Sequence, residues 1–192
     1  YTAILTVSAG TLIGILSGYI GGWFDRIVGL IINVFMSLPS FPILLILSMF
    51  VTIRDNFTLA LIISLFAWPG LARAIRSKII SLKERDFIQI CRVMGMSRAH
   101  IAFRELLPNI FSYIAINFIS SMRNGITASV GMMTLGIALY EPTNWGGIII
   151  NARNNGALSI PSAHLCILAP IFAIMLFQIG AILFSNGLDE VV

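Results

Sequence analysis

The sequence predicts an all-α protein, a polytopic bundle of transmembrane helices, and three observations predict it. Only 10% of the residues are charged against 58% hydrophobic, with a mean hydropathy of +0.96, so a water-soluble globule would lack polar residues to cover its surface. Uncharged runs cover residues 1–24, 27–53 and 154–188, each at or beyond the roughly 18 apolar residues that a spanning helix needs. No stretch alternates apolar and polar residues over the roughly ten positions of a membrane barrel strand. Helices are then the way to pair every backbone polar group in hydrocarbon.

Five spans are predicted, over residues 3–20, 27–51, 57–75, 109–139 and 163–184. In the first, Gly10, Gly14, Gly18 and Gly22 recur every four residues and lay a smooth stripe on one face, where another helix can approach closely. That stripe suits either packing within the chain or a seam with a partner. Pro39 and Pro42 interrupt the second span and Pro69 the third, and each removes a backbone donor and favours a kink. The fourth is too long for one straight crossing of about 20 residues, so it should tilt or begin in the interface. The chain starts at Tyr1 inside an apolar run, with no initiator Met, basic n-region or cleavage pattern, and reads as a single transmembrane domain, residues 1–192, lacking its start. Cys91 and Cys166 form no metal or disulfide spacing.

Charge sets the orientation, because loops rich in Lys and Arg stay in the cytoplasm. Eight basic residues, from Arg73 to Arg104, lie in or beside the connection between the third and fourth spans. With that loop, residues 73–108, inside, Asp25, Arg26 and the C-terminus fall inside, whereas Arg54, Asp55, Glu141 and Arg153 fall outside. The net charge of +4 thus reflects membrane topology, and no nucleic-acid partner is expected.

Within the loop, RDFIQICRVMG places Phe87, Ile88, Cys91 and Met94 at helical spacing on one face. Asp86 suits the positive end of such a helix, and Gly95 can adopt the left-handed conformation that ends it. At about ten residues it cannot span a bilayer. A second amphipathic stretch, SRAHIAFREL, leads to Leu107 and Pro108, where Pro suits the first turn of the next helix. The short helix fits docking to another protein and equally a surface helix on lipid headgroups.

Arg123 lies 14 residues past Asn109, about 21 Å along a helix, deep in the bilayer. A charge there costs roughly 2.5–3.5 kcal/mol, so it should face protein interior or water. With Asn117 and Asn124 on the same helix, it is a candidate for the lining of a translocation path, meeting an anionic group. The alternatives are a buried ion pair or a salt link to a partner. Glu141, Pro142, Trp145 and Gly146 form a candidate external loop for cargo hand-over, with an interfacial anchoring role for Trp145 as the alternative.

The segment WPGLARAIRSKIISLKERDFIQICRVMGMSRAHIAFRELLPN, residues 68–109, resembles the cytoplasmic loop of the binding-protein-dependent ABC importer permeases. That family's motif runs from Glu-Ala-Ala through Gly to Leu-Pro, and Gly95 and Leu107-Pro108 fall at the matching distances. IGILSGYIGGWFD, EPTNWGG and SNGLDE resemble further pieces of the dipeptide, oligopeptide and nickel branch, in the same order. The sequence departs from the family at Gln89, Ile90 and Cys91, where the motif has Glu-Ala-Ala, and at Ser129, where a second acid is lost.

The resemblance implies a type I importer permease fold with five of six helices present, in a prokaryotic inner membrane. It implies a second related permease, two ATP-binding subunits and a solute-binding protein as partners, with peptides, nickel or a related solute as cargo. ATP and Mg would sit on the ATPase subunits. No cofactor is expected on this chain, which has no Gly-Lys pair for a phosphate-cradling loop and should not be an enzyme by itself. The 86–95 helix would dock an ATPase through Phe87, Ile88, Cys91 and Met94, with Asp86, Gln89 and Arg92 giving polar contacts. An ion-coupled secondary transporter is the rival reading, but such proteins more naturally carry several midplane ionisable groups. His100 and His164 belong to no catalytic motif.

Overall fold

A computed structural model describes residues 1–51, 53, 55–136 and 144–191, and all regular structure among them is helical. Helix α1, Thr2–Ile20, ends at Gly21, whose φ of 69° turns the chain directly into α2, Gly22–Ser37. Leu38 is held extended by the proline that follows it, and α3, Ser40–Phe50, leaves the break bent by 83° from α2. The predicted second span is therefore two helices. Pro39 makes the break, whereas Pro42 falls in the first turn of α3, where a missing N–H has no intrahelical partner to lose.

Helix α4, Asn56–Leu82, is capped by Asp55, whose Oδ1 accepts the Thr58 backbone N–H at 2.6 Å. That bond, with a second from the Thr58 hydroxyl, holds the Asp55 carboxyl below the usual carboxylate range. The helix runs unbroken through Pro69 and passes the predicted end at Ile75, because Ile75 and Ile79 are fully buried and hold the next turns in place. Its 27 residues give about 40 Å, some 10 Å more than the hydrocarbon of a bilayer.

Helix α5, Asp86–Val93, is followed by a short turn α6, Arg98–His100, a π-helical turn, Ile101–Leu106, and α7, Leu107–Asn109. Ile110, at φ −111° and ψ 7°, breaks the chain before α8, Phe111–Thr134. The over-long fourth span thus resolves into α8 alone, of 24 residues. The stretch between spans four and five contains a helix that the sequence did not predict, α9, Trp145–Asn154, and α10, His164–Val191, outruns its predicted end.

By length and apolarity, three of the described helices can cross a membrane, α1, α4 and the α10 region, or four if the bent α2–α3 pair is one span. The expected five is not reached on that criterion. Helix α8 is long enough but carries Asn117, Ser120, Ser121, Arg123 and Asn124, and falls outside the apolar set.

The centre of the fold is α1 against α4, and the glycine stripe makes it. A Cβ on Gly14 would stand 2.8 Å from the Ala72 carbonyl oxygen, and one on Gly18 would stand 2.9 Å from that of Arg76. The stripe therefore packs within the chain over Gly10, Gly14 and Gly18, while a Cβ on Gly22 would meet nothing within 4 Å among the described residues. Two apolar clusters extend this centre. One joins Ile15, Ile75 and Ile79 to Ile88, Ile101 and Leu106 of the loop; the other, towards the opposite end, joins Leu44, Leu59 and Ile63 to Met132 and Met133.

Candidate functional site

Helix α5 forms because its charges suit its dipole, with Asp86 in the first turn and Arg92 in the last. It ends as predicted at Gly95, whose φ of 73° lets Met96 N–H donate to Cys91 O at 3.1 Å and Gly95 N–H to Arg92 O at 3.0 Å. The apolar face expected of it divides. Ile88 is fully buried and Cys91 nearly so, packed into the cluster with Ile75 and Ile101, so both belong to the protein's own core. Phe87 and Met94 stay exposed, and Ile90 and Val93, which the helical spacing did not single out, join them at 58% and 88% exposure. The reason is that one apolar stripe faces the protein's own core, leaving a second, separate stripe outside.

Gln89 Nε2 donates to the Glu84 carbonyl at 3.3 Å, so at the position of the family acid the amide braces the turn before α5. Asp86 is exposed, and the Arg92 guanidinium lies 5.9 Å from the Tyr19 ring centroid at the end of α1. Leu107 is half-buried and Pro108 exposed at the start of α7. Beneath them Leu106 is fully buried, tying the π-helical turn to α4 and α5.

Further bonds pin this end of the bundle. Lys83 Nζ donates to the Gly18 carbonyl at 3.2 Å, and Lys78 Nζ sits 4.1 Å from the Tyr113 ring centroid on α8. Asp25 receives both Nε and Nη2 of Arg76, the latter at 2.6 Å, and the buried Ser17 hydroxyl donates to the same carboxylate at 2.6 Å. This knot of α1, α2 and α4 was missed by sequence reasoning, which used Asp25 only to set topology. The signal was there, since Asp25 is the only acid in the first 54 residues.

The predicted path residues separate in the same way. Asn117 and Asn124 line a cavity of about 410 Å³ between α1, α3, α4 and α8, together with Ser120 and Ser121 and, across from them, Thr6 and Ser40. The Thr6 hydroxyl is buried without a hydrogen-bond partner among the described residues. Arg123 is not part of this lining. One residue round the helix from Asn124, it faces α10, where its Nε donates to Gln178 Oε1 at 2.8 Å; Gln178 Nε2 donates to Thr127 Oγ1 at 3.0 Å. Among the described residues its side-chain partner is therefore a neutral amide, which makes a polar clip between α8 and α10.

Trp145 and Gly146 open α9. The Trp145 ring packs 6.5 Å from that of Phe177 on α10, and a Cβ on Gly146 would lie 2.9 Å from Met133 Sδ, so this end of the loop is seated on the bundle. Glu141 and Pro142 lie outside the described residues. Among the described residues no three His, Cys, Asp or Glu side chains gather as metal ligands.

The family model described as "Binding-protein-dependent transport system inner membrane component" matches residues 10–191. The chain belongs to this family. It is 31% identical over 183 residues to the dipeptide transport system permease protein DppC of Alkalihalophilus pseudofirmus, covering 94% of this chain and 58% of that protein. With DppC of Lactococcus lactis it shares 27% over 188 residues, 98% of this chain and 54% of the relative, and with the oligopeptide permease OppC of Mycobacterium tuberculosis 28% over 189 residues, 98% and 64%. The chain spans 54% to 64% of the length of these curated relatives. Within the inner membrane component family the matched region takes in α5, its stop at Gly95 and the cavity-lining helix α8 alike.

Proposed function

We propose that the chain is the membrane-spanning permease part of an ATP-driven importer of peptides, in a prokaryotic inner membrane, with its Lys/Arg-rich end in the cytoplasm. The observation that carries this reading is α5, a capped helix with an exposed apolar patch on one side and its other side locked into the transmembrane core. A helix lying on lipid would have no use for that second attachment.

In this reading Phe87, Ile90, Val93 and Met94 insert into a groove on an ATP-binding subunit, with Asp86 and Arg92 on the rim. ATP and Mg are held by two such subunits, and none of the ATP chemistry is done by this chain. A second related permease completes the pathway, a solute-binding protein delivers cargo at the far end, and α8, with α1, α2–α3, α4 and α10, makes five crossings. Closure of the ATPase pair moves α5; Ile88, Cys91 and Leu106 pass that motion to α4 and through α7 to α8. The amides and hydroxyls of Asn117, Ser120, Ser121 and Asn124 suit the backbone of a peptide, and the peptide permease relatives favour that cargo over nickel.

The test is co-purification of the assembled transporter carrying Ile90→Asp and Val93→Asp. Removing two aliphatic anchors of about 1.5–3 kcal/mol each should weaken ATPase association at least about 100-fold, with the permease still folded. Unchanged association would sink the proposal.

A further inference from the structure

A second groove lies away from both α5 and the cavity beside Asn117. It is about 640 Å³, within the roughly 300–1,000 Å³ of ligand pockets, and runs between α2 and α4 at the Lys/Arg-rich end. Arg26, Arg73 and Arg76 line it with a single acid, Asp25. The Asp25 charge is taken up by Arg76 through its two-point contact. Arg73 Nη2 donates to Asn33 Oδ1, a neutral acceptor, and Arg26 makes no hydrogen bond or ion pair among the described residues. Among the described residues, two guanidiniums therefore remain without a counter-charge in one concavity.

With α4 crossing the hydrocarbon from Asn56, the groove falls near a headgroup layer. Arg73 stands 17 residues beyond Asn56, about 26 Å along α4, near the edge of a hydrocarbon core about 30 Å thick. Trp23, 78% exposed, and Phe24 flank the groove's end of α2 as interfacial aromatics do, and Leu30, 64% exposed, carries the groove wall on towards the membrane interior.

We propose that this groove binds the phosphate of an anionic phospholipid, with Arg26 and Arg73 as its charged contacts and the acyl chains along Leu30 and the outer face of α2. The site serves the leaflet on the Lys/Arg-rich side, and it depends only on the chain lying in a membrane, not on what it transports.

The test uses the full transporter in detergent, with bound lipid counted by native mass spectrometry against phosphatidylglycerol and phosphatidylcholine. One phosphatidylglycerol should be held tightly and phosphatidylcholine should not replace it. Arg26→Gln with Arg73→Gln should weaken that site about 30-fold, some fivefold for each arginine near the surface, and Arg26→Lys with Arg73→Lys should retain it. Arg26→Gln alone breaks no internal bond, so it reports even if the double variant fails to fold, with about a fivefold loss. Equal binding of the two lipids, or unchanged phosphatidylglycerol binding in Arg26→Gln, overturns the proposal. Competition by inorganic phosphate identifies the source: no displacement supports a lipid, and complete displacement by millimolar phosphate overturns the lipid assignment in favour of a free anion.

Discussion

Helices α4 and α10 are nearly the same length, 27 and 28 residues, and both are apolar enough to cross a membrane, yet half of the most apolar window of α4 is buried against 6% for α10. What separates them is their neighbours. Helix α4 meets the glycine stripe of α1 and carries the Arg76–Asp25–Ser17 knot, so its backbone is held at close range and its end is tied by charge. Helix α10 is attached through the Gln178 clip and the Trp145–Phe177 contact, with most of its surface turned outward. In lipid, hydrophobicity gives one helix no reason to prefer another helix over acyl chains, so close approach and polar links decide which spans become core.

This contrast can be broken at α4 and sharpened at α10. The largest effect should come from Gly14→Val, which puts side-chain atoms where the Ala72 carbonyl and Ile75 already stand; overpacking of this kind costs about 1–3 kcal/mol or more and should lower the unfolding temperature in detergent. Asp25→Asn leaves Arg76 without its counter-charge and should cost about 2 kcal/mol in the same measurement, a value reduced because Arg76 is about a third exposed. Gln178→Leu removes the clip to Arg123 and Thr127 and should cost about 1–2 kcal/mol, since three interhelical hydrogen bonds of about 0.6 kcal/mol each are lost. Gly180→Ala on α10, where an added Cβ meets nothing within 4 Å, should not destabilise at all. If Gly180→Ala were as damaging as Gly14→Val, the division between buried and lipid-facing helices would be wrong.

An effect confined to acid pH concerns the other end of α4. Since the Thr58 N–H holds the Asp55 carboxyl below its ordinary value, the cap stabilises above that ordinary value and the contribution disappears as pH falls through the lowered one. Asp55→Asn, which keeps a capping oxygen, should remove this acid-range dependence while leaving stability near neutral pH almost unchanged.

Much of the site was readable beforehand where a residue's chemistry leaves one option. Gly95 stops α5 because few residues adopt positive φ, and the glycine stripe needed a close partner because nothing else explains a face without side chains. Where several residues could do the same job, the reading split. Phe87, Ile88, Cys91 and Met94 looked equivalent by spacing, yet two are core and two are surface. Arg123 and Asn124 are adjacent on α8, and a rotation of about 100° per residue puts one on the cavity and the other on α10. Helix α9 escaped because its ten residues are too few for a span and lie in a stretch rich in Asn and Gly.

The sequence by itself determined that the chain is helical, that it lives in lipid, that residues 73–108 carry the basic end and that they contain a capped helix. Each follows from composition or from a residue with one allowed conformation. Only the tertiary structure decided which face of each helix is inside. A span that is apolar all round has no phase for periodicity to detect, so its orientation comes from matching a smooth backbone, a carboxylate or an amide on the neighbouring helix.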